Sequence, residues 1–269
     1  MAARSILSSP LAIIDCEMSG LDPEHHRVIE VAVVLVDGTQ RQEWSSLVFT
    51  DVEMEPEAVG IHKITSQTLV DAPSFAAIAQ RLRTLLTGRI VIGHKVDFDL
   101  EFLAHEWRRL GQDLPDMLGT IDTLEIARRR FCFPSNRLSA LIDVFSIENL
   151  RPHRALGDAL ATTSLLMVML KIIDERGVLT LDGLQSLLAD LSPGSEPRHM
   201  RKAMLVAALK QGRPVEISYQ SVRPPEFELT HRVVDLTRVK RSLVTGYCHL
   251  RNSDRKFRFD RILSVKNVD

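Results

Sequence analysis

The apolar run from Leu11 to Ile14 stops directly at Asp15-Cys16-Glu17. A short apolar run of this kind reads as a buried strand, and strand side chains alternate. Asp15 and Glu17 therefore project from one face and Cys16 from the other. Two carboxylates held that close repel each other and resist ionisation unless a cation lies between them. A lone acidic pair also fits a solvated strand end, so its meaning depends on what else the fold brings to it.

Two further blocks supply candidates. Arg89–Gly93 reads as a second apolar strand, followed by a helix in which Leu100, Leu103, Trp107 and Leu110 recur at helical spacing. Asp99 then sits near a helix start at the carboxyl end of a strand, where ligand sites collect in α/β sheets. An acid in a first helical turn is also favoured by the helix dipole, and Asp97 fits that simpler description. In the third block His153 and Asp158 are five residues apart, about 140° around a continuous helix. They face one site only if His153 precedes the helix and Asp158 lies within it. Pro152 agrees, since proline disfavours helix before it, and Leu156, Leu160, Thr163, Met167 and Leu170 trace a stripe beyond. A loop histidine beside a helix-anchored carboxylate suits a proton-transfer group next to a metal ligand.

Taken in order, Asp15-x-Glu17, His94-x-x-x-Phe98-Asp99 and His153-x-Ala155-x-x-Asp158 resemble the DEDDh-type (DnaQ-like) 3′–5′ exonucleases. The resemblance covers roughly residues 8 to 175. It includes Ser19-Gly20-Leu21-Asp22-Pro23, Ile61-His62-Lys63-Ile64-Thr65 and Asp122-Thr123-Leu124. It implies a two-metal mechanism in which Asp15, Glu17, Asp99 and Asp158 supply hard oxygen ligands to Mg²⁺ or Mn²⁺. Two such ions about 4 Å apart clamp the attacking and leaving oxygens of an in-line displacement. His153 would take the proton of the attacking water, and a nucleoside 5′-monophosphate would leave. The resemblance further implies that Met18, Ser19 and Leu21 lie near the terminal nucleotide, with His62 and Phe98 lining the same pocket. Lys95 departs from the family, whose members usually carry Asn there, and leaves the turn geometry open.

The expected order is strand 11–16, strand 27–37, strand 43–49, helix 74–87, strand 89–93, helix 97–110, helices near 121–130 and 137–146, and a long helix 153–175. Strands first and alternation later give an α/β fold, a mixed sheet flanked by helices, the ribonuclease H-like architecture of the family. Residues 179–191 read as a short helix, within which 185–191 faintly resemble a sliding-clamp peptide and equally fit an amphipathic connector. Ser192 to Pro197 reads as a linker. The expected division is an exonuclease domain at 1–178, a helical connector at 179–197 and a second domain at 198–269.

Near-neutral net charge hides an asymmetry. Residues 196–269 carry 16 Lys and Arg against 8 Asp and Glu, while the remaining residues carry 18 against 27. A basic module beside an acidic one points to a polyanionic ligand, although a small barrel with a solvated basic surface explains it too. A helix at 199–211 is expected to lead into strands at 215–219, 232–236, 243–251 and 256–265. Val244–Arg251 and Arg255–Ile262 resemble a WYL domain, a small SH3-like β-barrel, with Ser242-Leu243-Val244 in place of the naming triplet. That resemblance implies a nucleic-acid or nucleotide ligand. Tyr219, Arg232, Tyr247, His249, Arg251, Arg255 and Arg258 are the candidate contacts, through stacking and phosphate pairing. Inter-strand salt bridges are the alternative use of those arginines.

Cys16, Cys132 and Cys248 show no pairing or zinc pattern. The start of the chain lacks a signal-peptide pattern, no segment reads as membrane-spanning, and a reducing cytoplasm is the default. The expected activity is metal-dependent 3′–5′ trimming of single-stranded DNA or RNA ends, with DNA repair among the processes it would suit. A phosphodiesterase of very short oligonucleotides and a non-catalytic nucleic-acid-binding regulator are the rivals. Oligomeric state is left open, a homodimer included.

Overall fold

Strand β1 (Leu11–Met18) organises the amino-terminal part of the chain. In the computed structural model, which describes residues 4–131, 133, 135–189, 198–223, 226–240 and 243–268, β1 pairs antiparallel with β2 (Val28–Asp37) and parallel with β4 (Ile90–Gly93). β3 (Gln40–Leu47) extends the antiparallel side and β5 (Gly119–Asp122) the parallel side, giving the order β3-β2-β1-β4-β5. Alternation along β1 divides its apolar residues between two cores. Leu11 and Ile13 belong to one, Ala12, Ile14 and Cys16 to the other.

Helices α1 (Pro56–His62) and α2 (Ser66–Leu69) follow β3 and close a small cluster of Ile29, Met54, Ile64 and Leu69. Next come α3 (Phe75–Leu86) and α4 (Val96–Arg109), which cover the Cys16 face. Phe102 and Trp107 are fully buried there, and burying a side chain of that kind stabilises by about 1.5–3 kcal/mol. The opposite face is covered by α5 (Thr123–Arg130), α6 (Leu138–Phe145), α7 (Ala155–Ile173) and α8 (Leu181–Ala189). A mixed sheet between two helical layers is the expected ribonuclease H-like α/β arrangement.

The structure corrects several expectations. Sequence patterning predicts no element at α1 or α2, and it starts a helix near 121 where β5 runs to Asp122 and α5 begins only at Thr123. α1 and α2 are too short to show a period, and β5 has only four residues. β1 runs two residues further than expected, so both acids belong to the strand. α7 has 19 residues with a mean hydropathy of 1.6, long and apolar enough to cross a membrane by length and composition. Half of that stretch is buried, and Ala155, Ala159, Leu165 and Met169 lie in the core between helices and sheet, which accounts for its apolarity.

In α8, Leu184 and Leu188 are buried against the main core, as an amphipathic connector requires. The last two positions of the clamp-like peptide and the whole 192–197 linker lie outside the described residues, as does Cys132. Helix α9 (Arg198–Gln211) precedes a second sheet of β6 (Val215–Arg223), β7 (Glu226–Val239), β8 (Leu243–Cys248), β9 (Ser253–Arg258) and β10 (Ile262–Asn267). Its order is β10-β6-β7-β8-β9, antiparallel throughout. Among the described residues no ladder joins β9 to β10, so the hydrogen bonding does not close into a barrel. The expected strand 256–265 is two strands, interrupted by a 3₁₀ turn at Phe259–Arg261.

Candidate active site

Asp15 and Glu17 stand half-buried on the face of β1 that α7 covers, and Asp158 sits in the first turn of α7. One carboxylate oxygen from each lies within 4.8 Å of the others, a group able to hold a metal ion. Burial pushes Asp15 well above the usual carboxylate range, and the charges of Asp99, Asp158, Glu17 and Glu30 push it further. Glu17 is raised to about 8 by burial first and by Asp158, Glu30 and Asp99 next, with Arg154 opposing. Burial likewise raises Asp158, against the hydrogen bond from Asn149. Burial is the first cause in all three, and for Asp15 and Glu17 the neighbouring carboxylates add to it.

Asp99 is placed differently. It is buried in the first turn of α4, and its Oδ1 accepts a 3.0 Å hydrogen bond from the Cys16 backbone N–H. Burial raises it to about 8, although that hydrogen bond lowers it. Asp99 thus ties α4 to the acidic end of β1 and adds its charge to the field at Asp15.

His153 precedes α7, as expected, but its backbone is pinned. It occupies the left-handed region at φ 59°, and its N–H donates to Asp158 Oδ2 at 3.3 Å, leaving the side chain exposed. Asn149 Nδ2 donates to the other oxygen of Asp158 at 2.6 Å. Gly157 is required where the 149–151 loop crosses the helix. A Cβ there would meet the Arg151 carbonyl oxygen at 2.1 Å, which backbone cannot relieve cheaply.

The position of α7 depends on a residue that sequence patterning does not single out. Glu30 lies opposite Glu17 in the β1–β2 ladder and is buried. Its oxygens accept forked hydrogen bonds from Arg154, 3.0 Å from Nε and 2.6 Å from Nη2, and another from the Ala155 backbone N–H at 3.0 Å. Glu30 therefore caps the helix that carries Asp158. The available signal is a single charge inside the apolar run from Val28 to Val36, because Glu is almost never fully buried unless paired.

The residues expected around the terminal nucleotide differ in burial and contacts. Met18 and His62 are buried together, and burial lowers His62 while the Met18 backbone offsets part of that shift. Phe98 packs at the rim of the α4 core, edge-on to Phe102 with ring centroids 5.2 Å apart. Leu21 is 74% exposed. Ser19 is fully buried, and its hydroxyl accepts from the Arg27 N–H at 3.0 Å and meets His26 Nδ1 at 3.2 Å, so it pins the turn.

In the second sheet the seven candidates do not share one surface. Tyr219 and Arg232 are buried, with the Arg232 guanidinium 5.3 Å from the Tyr219 ring centroid. Tyr247 stacks edge-on against His249, which pairs with Asp235 at 2.8 Å. Arg251, Arg255 and Arg258 are exposed. Register pairs Arg255 with Gly246 and Arg258 with Leu243, so strand alternation sends Arg255 to the Phe257 side and Arg258 to the Tyr247 side.

Comparison with known proteins fits this geometry. The family model described as Exonuclease, of RNase T type, matches residues 12–166, and a WYL domain model matches residues 202–267. The chain belongs to this exonuclease family. It is 30% identical over 159 residues to the DNA polymerase III subunit epsilon of Escherichia coli, a match covering 55% of this chain and 65% of that one. It is 29% identical over 181 residues to the PolC-type DNA polymerase III of Bacillus subtilis, covering 66% of this chain and only 12% of the polymerase. The chain thus spans less than two thirds of either relative. A structure of exonuclease X in complex with 5′-overhanging duplex DNA aligns with a TM-score of 0.51 at 25% identity, over 66% of this chain and 99% of that one. E. coli exonuclease I bound to a dT13 oligonucleotide aligns with a TM-score of 0.56 at 18% identity, over 97% of this chain and 66% of that one. That last likeness is one of fold, and it extends beyond the exonuclease segment.

Proposed function

We propose that this chain is a metal-dependent 3′–5′ exonuclease that removes nucleoside 5′-monophosphates from single-stranded DNA or RNA. The observation that carries the reading is the convergence of Asp15, Glu17 and Asp158 within 4.8 Å, with Glu17 raised to about 8 by burial and neighbouring charge. An all-oxygen donor set suits Mg²⁺ or Mn²⁺ better than a soft metal. Asp15, Glu17 and Asp158 would hold the cations, with Asp99 as the fourth acid. When bound, a divalent pair supplies Lewis-acid activation of water and neutralises charge on the departing oxygen.

His153 takes the proton of the attacking water on an imidazole nitrogen. A bond forms between that water oxygen and phosphorus, and the bond from phosphorus to the 3′ oxygen breaks. That 3′ oxygen takes a proton from solvent to become the hydroxyl of the shortened strand, and His153 gives its proton back to solvent. The His153 N–H bond to Asp158 and the Glu30 cap on α7 keep base and acids in register. Met18, Leu21, His62 and Phe98 hold the terminal nucleotide. The second sheet, read as an SH3-like WYL domain, binds nucleic acid or a nucleotide on one of its faces, through either Arg255 or Arg258, which are exposed on opposite sides of β9. Two buried free cysteines support a reducing location such as the cytoplasm, where end trimming serves DNA repair.

The test is an assay on 3′-labelled DNA and RNA strands of graded length with magnesium, manganese or chelator. Metal-dependent release of labelled monophosphate from long strands supports the proposal. Release confined to the shortest strands would favour an oligonucleotide phosphodiesterase, and no release with retained binding would favour a regulator.

A further inference from the structure

At the carboxyl ends of β4 and β5, beside the acidic cluster, lies a cleft of about 390 Å³ lined by His94, Lys95, Leu124, Arg128, Asn136, Arg137 and Leu138. That volume is within the ~300–1,000 Å³ typical of ligand sites. Three of its lining side chains are cations, and among the described residues none of the three is ion-paired. The neighbouring carboxylates are already engaged. Asp122 accepts from the Lys95 and Leu124 backbone N–H groups, both at 2.8 Å, and Glu125 pairs with Arg129 at 3.0 Å.

The walls of the cleft are built. His94 is fixed between Thr123 Oγ1 at 3.0 Å and the Asn136 carbonyl at 2.8 Å. The Asn136 side-chain oxygen is buried without a hydrogen-bond partner among the described residues. Lys95 adopts φ 76°, and its ammonium lies 4.2 Å from the ring centroid of Phe98, the residue next to Asp99. Leu124 and Leu138 add apolar surface that a sugar or base can cover.

We propose that this cleft is a strand-binding subsite that holds backbone phosphates of single-stranded nucleic acid upstream of the nucleotide being cleaved. The inference rests on the exonuclease reading for its direction, since the acids mark where the 3′ end must lie. β5 is two strands from β1, roughly 10 Å at ordinary strand spacing, so the same polynucleotide can span both within about two nucleotides. A negatively charged strand also needs cations beside a site whose own acids repel it, and Lys95, Arg128 and Arg137 provide them.

The test measures fluorescence anisotropy of a 5′-labelled twelve-nucleotide thymidine strand in chelator, where no trimming occurs, across a range of salt. Arg128→Gln with Arg137→Gln should weaken binding about tenfold. The slope of log affinity against log salt should flatten by about 1.4, at ~0.7 for each phosphate of a single strand that the protein no longer neutralises. Lys95→Asn, which suits a left-handed turn, should flatten it by about half as much without disturbing the fold. With magnesium or manganese, the double variant should lose kcat/KM on the twelve-mer relative to a dinucleotide. Unchanged affinity and salt slope in both variants would overturn the subsite. A wild-type chain that binds as described yet releases no monophosphate would refute the exonuclease reading and leave the subsite standing.

Discussion

Glu30 and Arg154, 124 residues apart in sequence, form a forked ion pair of 2.6 and 3.0 Å that fixes the first turn of α7 against β2. The same carboxylate accepts the Ala155 N–H, so one side chain on the sheet sets where Asp158 and His153 stand relative to Asp15 and Glu17. Glu30→Ala should destabilise the protein by about 1–3 kcal/mol. That is less than the ~3–5 kcal/mol for breaking a fully buried pair, because the Arg154 side chain is 41% exposed. Denaturant unfolding measures the loss, and kcat on a single-stranded substrate should fall with it. Wild-type stability in this variant would show that α7 is positioned by packing alone.

The acidic site should make the metal-free protein sensitive to pH in a particular direction. Glu17 and Asp99 are raised to about 8 and Asp15 is raised well above its ordinary value. Across the interval from about 4 to 8 the folded state binds more protons than the unfolded state, whose carboxylates titrate near ~4. The stability held by those protons is full at the low end and is lost as pH climbs towards 8. In chelator the Tm should fall from about pH 5 to pH 8, magnesium or manganese should restore it at pH 8, and Asp15→Asn should lessen the fall. A flat or rising Tm over that interval would contradict the assigned electrostatics.

His153 should matter for turnover and little for structure, since its side chain is exposed and its contact to Asp158 is made by the backbone. His153→Ala should lower kcat by about 10²–10⁴, the usual range for a positioned acid or base, with Mn²⁺ affinity retained. Comparison of single-turnover rates with metal titrations separates the two effects.

The second sheet gives a prediction of its own. Arg255 and Arg258 are exposed on opposite faces of β9, so a ligand on one face should depend on one of them. Arg258→Gln and Arg255→Gln, tested singly for salt-dependent oligonucleotide binding, should differ, with one flattening the slope by about 0.7. Equal and negligible effects would remove the nucleic-acid role of this sheet.

Much of this arrangement is legible in the sequence because strand alternation and helix periodicity act over a few residues. Asp15 and Glu17 share a face, and His153 sits outside the helix that carries Asp158, for those local reasons. The supports are not legible. Glu30 lies inside a run that reads only as a strand, Gly157 is explained by a loop crossing it, and Arg128 and Arg137 meet Lys95 only once α5, α6 and the β4–α4 turn are assembled. Tyr219 and Arg232, two of the candidate contacts, are buried with the guanidinium over the ring, an arrangement that strand alternation alone does not reveal.

Titration of Mn²⁺ into the wild-type chain and into Asp15→Asn and Asp158→Asn tests the central claim most directly, because those acids come from segments that only the fold unites. The wild type should bind Mn²⁺, and each substitution should weaken that binding at least tenfold while the protein stays folded. Binding that is absent from the wild type, or equal in all three proteins, would contradict the account.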